Sequence, residues 1–308
     1  MSPIRRIAYP DMPAERLATL RILVGAYGVI YLLSRVGAIW GVTRYRPQQF
    51  RPVGFAWWMD SPLPPSLVVV GLVLTLAAGV AYVLGWRFRA SGPLYAACLL
   101  WVTSYRNSWG MVFHTENLLV LHTLIVGLAA SADAWSIDAR GRPLPADSPR
   151  YGWAVVLMGW VAALTYFVAG IAKLSHSGLG WITSDTLRNF IAYDNIRKAE
   201  LGAGYSTLGT WMVAHAWVFP PLAAVSMAVE IGAPLAVLNR RLGMLWAIAA
   251  WGFHVGVLAL MYILFHYPIL GVAYASFLPV ERLGRWVHRR FSRSSAAGPE
   301  PAPGVHPR

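Results

Sequence analysis

The chain has 308 residues, of which 57% are hydrophobic and only 13% charged, and its mean hydropathy is +0.50. Soluble globular domains carry about 25% charged residues, so this composition excludes a soluble protein and predicts an all-α, polytopic helical membrane protein. The net charge of +13 would suggest nucleic acid on a soluble domain; on so apolar a chain it reads as membrane orientation, and no nucleic-acid partner is expected.

Residues 1–16 carry Arg5, Arg6 and Arg16 and read as a cytoplasmic N-terminus. The run 17–39 that follows is too long for a secretory signal, whose apolar region is about 7–15 residues. It also contains Arg21 and Arg35, and is expected to be a retained anchor. Further apolar runs cover 67–84, 94–102, 118–130, 153–172 and 220–238, and an almost unbroken stretch covers 242–280. That last stretch suffices for two crossings of about 20 residues each, with the turn expected near Phe265, before His266, Tyr267 and Pro268. The membrane domain, 17–280, is thus read as about eight transmembrane helices, two of them short. The polar stretch 104–117 between the short runs is expected to line a water-accessible or protein-buried cavity, because lipid cannot satisfy irregular backbone. The extramembrane segments 40–66 and 175–210 are too small for a core of their own. The second is expected to hold a surface helix over 184–191 with Ser184 as N-cap. Residues 281–308 read as a basic segment, able to rest on anionic lipid, followed by a disordered tail.

With the N-terminus inside, the inner segments hold sixteen basic residues and the outer ones eight, so the positive-inside rule favours N-in and C-in. The lone cysteine, Cys98, excludes a disulfide framework and a thiolate metal site, and no HxxxH or HExxH spacing appears, so no metal is expected. Walker, GxGxxG and GxSxG motifs are also missing from the sequence.

An ionisable side chain inside a membrane costs several kcal/mol and therefore needs a partner or a task. Arg21, Gly25, Gly28 and Arg35 share one helical face, where arginines paired with a buried acid would fix helix packing. Glu230 is the most deeply placed acid. It is either a packing partner of Arg21 or a group that handles a ligand or proton, and Pro234 cannot donate to its carbonyl. Lys173 shares a face with Tyr166 and Gly170 and is one of only two lysines among 26 basic residues. A lysine amine can give up its proton in a dry site, which a guanidinium cannot; the competing reading is an amine snorkelling to the outer interface. His254, His122 and His266 lie within apolar sequence. His114, Glu116 and Asn117 flank the short fourth crossing on the outer side and are expected to face the same outer cavity as Lys173.

Several of these positions occur in the order and spacing of one family. The first helix over 17–25, the Trp135-Ser136-Ile137-Asp138 segment, the run 166–174 followed by Trp181, Glu230 with Pro234, Phe253-His254 and the later 265–268 together resemble the HTTM (horizontally transferred transmembrane) family. Its membrane domain is shared with vitamin K-dependent gamma-carboxylase. The resemblance spans about residues 15–280 and implies that Lys173 is the base that deprotonates a reduced naphthoquinone, with His254 as the matching histidine of the later helix. Oxygen would then turn the quinol into the strong base of the reaction. Where the carboxylase has an Asn-His pair, this chain has His114-Thr115-Glu116-Asn117. No counterpart of the carboxylase's large lumenal domain is expected, so carboxylation of protein glutamate is not implied. Bacterial members of the family include proteins needed to mature secreted peptide toxins, and many have no known activity.

The expected protein is therefore a multi-pass protein of a bacterial cytoplasmic membrane, surrounded by membrane lipid. Lys173 would be the catalytic base, His254 its assistant, Tyr166, His114, Glu116 and Asn117 cavity residues, and Arg21 and Glu230 buried structural charges. The reaction expected is quinol-linked or oxygen-linked chemistry on a lipid or secreted peptide. The alternative is a non-catalytic transporter, or an escort for a secreted peptide.

Overall fold

The computed structural model describes residues 8–110 and 112–296, with the side chains of 291–296 excepted. Arg5, Arg6 and the tail beyond 296 lie outside the described residues. Among those residues the fold is all helical, and its one β-type pairing is an isolated bridge between Met12 and Ser148. The helices are α1 (Ala14–Gly41), α2 (Pro65–Leu84), α3 (Phe88–Asn107), α4 (Asn117–Leu128), α5 (Pro149–Ser177), α6 (Gly180–Thr183), α7 (Thr186–Glu200), α8 (Thr207–Val213), α9 (Phe219–Ile231), α10 (Arg240–Met261), α11 (His266–Ile269) and α12 (Val280–Ala296).

Helix α2 shows why such a bundle belongs in lipid. Val68, Leu72, Thr75, Ala78 and Tyr82 are buried at helical spacing, while Leu67, Val70, Val73, Leu74 and Val80 point outward with about half their surface exposed. A helix that is apolar all round needs an apolar solvent. Among the described residues, α1, α2, α5 and α10 are long and apolar enough to cross a membrane. The bent pair Thr207–Val213 and Ala216–Ile231, with an angle of 104°, makes a fifth if it is one broken span.

The remaining apolar runs fold differently from a set of straight crossings. Helix α3 extends well past the run 94–102, because its polar end is buried in protein. Ser104 Oγ accepts from the Phe55 N–H at 3.2 Å, the Tyr105 hydroxyl from the Leu63 N–H at 3.2 Å, and Ser108 Oγ from the Val53 N–H at 3.1 Å. These side chains tie down the irregular segment between α1 and α2. Helix α4 has only 12 residues, about 18 Å of helix, which falls short of an apolar layer of about 30 Å.

The stretch 242–280 does not form two α-helices. Tyr262, in a left-handed conformation with φ 52°, ends α10, and beyond the four-residue α11 the chain continues as a 3₁₀ helix, Val272–Phe277. Proline and glycine account for the break: Pro268 lies inside α11 and Gly271 takes φ 74°. Ala273, Tyr274, Ala275, Ser276 and Phe277 are all buried, so the 3₁₀ backbone is surrounded by protein, as irregular backbone must be at membrane depth.

The surface helix α7 is longer than the span 184–191, and its N-cap position is held by Asp185, not Ser184. The Ser184 hydroxyl donates to the carbonyl of Gly180, closing α6, and accepts from the Thr186 N–H at 3.3 Å, so it still serves the first turn of α7.

The contacts sort the segments between two ends. At one end the Arg16 guanidinium donates to the carbonyls of Ser276 and Leu278 at 2.9 and 3.1 Å, and the Ile137 N–H donates to the carbonyl of Leu84 at 2.9 Å. At the other end Arg106 of α3 meets Glu116 beside α4 at 2.7 Å, and Asn195 and Lys198 of α7 donate to the carbonyls of Leu260 and Met261 at 2.9 and 2.5 Å.

Candidate functional site

The closest approach of α5 and α9 is set by a glycine. A Cβ on Gly170 would lie 2.9 Å from Ile231 Cδ1 and 3.0 Å from Glu230 Cβ. One turn further along α5, Lys173 reaches across the same seam, and its Nζ donates to both carboxylate oxygens of Glu230, at 2.6 and 2.7 Å. The lysine side chain is 22% exposed and the glutamate 4%. Lys173 is therefore not an amine snorkelling to an interface, and Glu230 is not the partner of Arg21. The end of α9 adds to the polarity of the spot: the helix stops at Ile231, and Pro234 has no N–H with which to continue the ladder at Glu230.

Aromatic rings surround the amine. Nζ lies 4.8 Å from the ring centre of Trp181 and 5.7 Å from that of Phe253, both within cation–π range. Trp181 is carried by α6 and buried, and its indole N–H has no hydrogen-bond partner among the described residues. On the same face of α5, two turns before Lys173, the Tyr166 hydroxyl lies 3.2 Å from His254 Nε2 and forms a short hydrogen bond with the hydroxyl of Tyr274. Tyr274 in turn donates to the carbonyl of Ala250 at 3.2 Å. The other ring nitrogen of His254, Nδ1, is buried and unpartnered among the described residues. Lys173, Tyr166 and His254 are thus brought into one neighbourhood, with two unsatisfied ring nitrogens in it.

His114 and Glu116 belong to a different place. They line a cavity of about 410 Å³ together with Tyr31, Arg35, Arg106 and His266, and the lining does not include Lys173. Glu116 is held there by Arg106 at 2.7 Å, by Thr115 Oγ1 at 2.8 Å and by a short bond from the Tyr31 hydroxyl. Asn117 begins α4, is exposed and is not part of the lining. The Phe265 ring links the two regions: His114 is tilted against it at 6.1 Å, and His254 stacks on it at 5.0 Å. Sequence spacing placed all four groups on the outer side, but it could not show that the Phe265 ring stands between them.

Arg21 also departs from expectation. It is fully buried and bonds no acid; its guanidinium donates to the carbonyls of Ser131, Ala134 and Trp135 at 2.6, 3.3 and 2.5 Å. Because α4 stops at Leu128, these carbonyls lie inside the bundle without helical partners, and the fixed fork of an arginine satisfies several at once. His122 is a packing residue, with Nδ1 2.8 Å from the Tyr267 hydroxyl and Nε2 3.2 Å from the carbonyl of Met158. Tyr274 carried no signal in the sequence; Phe253 and Trp181 carried one only through the family resemblance, beside His254 and after the 166–174 run, and their contact with the amine was missed.

The HTTM domain matches residues 9–278. No curated protein and no solved structure matches the chain. The match covers most of the sequence, and with it the apolar helices identify an integral membrane protein. The chain belongs to the HTTM family, and its resemblance to the membrane domain of vitamin K-dependent gamma-carboxylase follows from that membership.

Proposed function

We propose that this protein is an enzyme in which Lys173 is the proton-abstracting base, acting with a reduced naphthoquinone and oxygen on a lipid or a secreted peptide at the outer face of a bacterial cytoplasmic membrane. The observation that carries the reading is the Lys173–Glu230 pair, enclosed by Trp181 and Phe253 beside two buried, unpartnered ring nitrogens.

A flat quinol with two oxygens suits these residues. Its ring matches the aromatic faces, and its oxygens match Nε1 of Trp181 and Nδ1 of His254, which otherwise forfeit hydrogen bonds at a cost of about 1–3 kcal/mol each. When bound, such a cofactor supplies an acidic hydroxyl and, with oxygen, a strong base. The chain itself manages the proton. Moving a proton from Lys173 Nζ to Glu230 Oε turns an ion pair into a neutral pair, so the net charge in the low-dielectric interior stays at zero throughout. The free amine so formed is the base. Tyr166 holds His254 Nε2 and so orients the imidazole, leaving Nδ1 without a partner among the described residues.

Eight crossings with both termini inside are part of the same proposal. In this reading the eight passes are α1, α2, α3, α4, α5, α9, α10 and the segment 266–278. The end that holds α1's start and α12 is also the more basic one, which supports N-in and C-in.

The test is thermal stability of the purified protein in detergent with and without a naphthoquinol. Stabilisation by the quinol that is lost in a folded Lys173→Ala variant is the expected result. No effect of any quinol, with a peptide co-purifying, would instead establish the non-catalytic escort.

A further inference from the structure

The inner end of the bundle carries a second site that the proposed chemistry does not use. Helix α12 has three distinct faces. Gly284 packs so tightly that a Cβ there would lie 2.1 Å from the Trp135 ring and 2.5 Å from Thr19 Oγ1. Arg285 binds Glu15 at 3.1 Å. These contacts dock the helix on α1 and on the segment after α4. Its far face presents Leu283, Trp286 and Val287, spaced i, i+3, i+4, with 51%, 57% and 37% of their surface exposed. Arginines flank this stripe: Arg282 and Arg289 on one side, with Arg290 stacked on Trp286 at 5.4 Å.

Between α12 and residues 133–144 lies a broad recess of about 1090 Å³. Arg140, Arg142 and Arg289 line it, and among the described residues none of the three has an acidic partner. The acids nearby are already engaged. Glu15 holds Arg285, Asp133 takes the Tyr151 hydroxyl at 3.0 Å and Arg150 at 3.4 Å, and Asp138 caps α3 through the N–H groups of Arg87 and Phe88 at 2.9 and 2.7 Å. Three uncompensated guanidinium groups in a recess whose lining also exposes Leu84, Ile137 and Leu144 match a ligand with an anionic head and hydrocarbon tails.

We infer that this recess binds an anionic phospholipid of the leaflet at that end. Its phosphate lies among Arg140, Arg142 and Arg289, and its acyl chains run along Leu84, Ile137 and Leu144. The charged head gives selectivity over zwitterionic lipid, and the apolar lining distinguishes a lipid from a free phosphate.

The experiment titrates the full chain in detergent with phosphatidylglycerol or phosphatidylcholine and counts bound lipid by native mass spectrometry. Wild type is expected to retain phosphatidylglycerol in preference to phosphatidylcholine, and Arg140→Gln/Arg142→Gln/Arg289→Gln to bind it at least about tenfold more weakly. Equal retention of both lipids, or no loss in the triple variant, overturns the proposal. So does displacement of the lipid by inorganic phosphate beyond a chloride control of equal ionic strength, which would show a free-anion site. Should the triple variant not fold, Leu144→Ser carries the test, because that side chain lines the recess and is exposed, with Trp135 in the same lining as the reporter. Quenching of tryptophan fluorescence by brominated phosphatidylglycerol should then fall relative to wild type, and unchanged quenching overturns the inference.

Discussion

Two buried glutamates, each at short distance from a cation, differ in every respect that matters for chemistry. Glu116 is fixed by three donors from three directions, the Arg106 guanidinium, the Thr115 hydroxyl and the Tyr31 hydroxyl. Glu230 receives a single side-chain partner, the amine of Lys173, on both of its oxygens. A guanidinium does not give up its proton in a protein, whereas an amine does. The first cluster is therefore a strut that shapes the wall of the 410 Å³ cavity, and the second is a pair across which a proton can move. Buried charge by itself does not mark a reactive site; the number and type of partners do.

The largest effect that would break this comparison comes from making the second pair resemble the first. Lys173→Arg keeps the positive charge and the ion pair but removes the exchangeable amine. Quinol-dependent oxygen consumption is expected to fall roughly 10²–10⁴-fold, the span associated with loss of a positioned base, while expression and melting temperature stay near wild type. Full activity in this variant would end the role assigned to Lys173.

Next in size is the stability of the pair. Glu230→Gln leaves the ammonium without a counter-charge, and removal of one member of a buried pair costs about 3–5 kcal/mol. The double variant Lys173→Met/Glu230→Leu removes both charges and is expected to recover most of that loss while remaining inactive. Melting curves in detergent separate the two outcomes; a double variant as unstable as the single one would show that the pair holds the fold by more than charge balance. Arg106→Met in the other cluster should cost less, about 1–3 kcal/mol, because Glu116 keeps its two hydroxyl donors. The quinol-induced stabilisation should survive it.

How much of this was legible in the sequence follows from what each interaction depends on. Helices α1, α2, α5 and α10 were readable because an apolar helix in lipid needs no specific partner, only length and hydropathy. The face shared by Tyr166, Gly170 and Lys173 was readable for a similar reason, since helical periodicity alone sets it. The broken segment 262–278 was not, because its shape depends on the packing of 272–277 against α5 and α10, which hydropathy does not record. Arg21 misled most: a buried arginine suggests an acid, but its partners here are backbone carbonyls exposed by the early end of α4, and every residue type has a carbonyl. The pairing of Lys173 with Glu230 joins residues 57 apart, and nothing in the local sequence of either specifies the other.

The smallest effect tests geometry at constant charge. Gly170→Ala adds one methyl group where α5 meets α9, at 3.0 Å from Glu230 Cβ and 2.9 Å from Ile231 Cδ1. The isoleucine tip can rotate aside, but Glu230 Cβ moves only with its backbone, so α9 must shift by a few tenths of an ångström. The overpacking costs about 1–3 kcal/mol, and the better helix propensity of alanine returns up to about 1 kcal/mol, which leaves a modest net loss of stability. Activity should fall more than stability suggests, by about tenfold, because the shift displaces the carboxylate from the amine it must face. Gly252→Ala is the matched control, one residue before Phe253 on α10 with nothing within 4 Å of the added Cβ. It should be neutral or slightly stabilising and leave activity unchanged. If the two alanine variants behave alike, the tight α5–α9 seam is not what positions the Lys173–Glu230 pair.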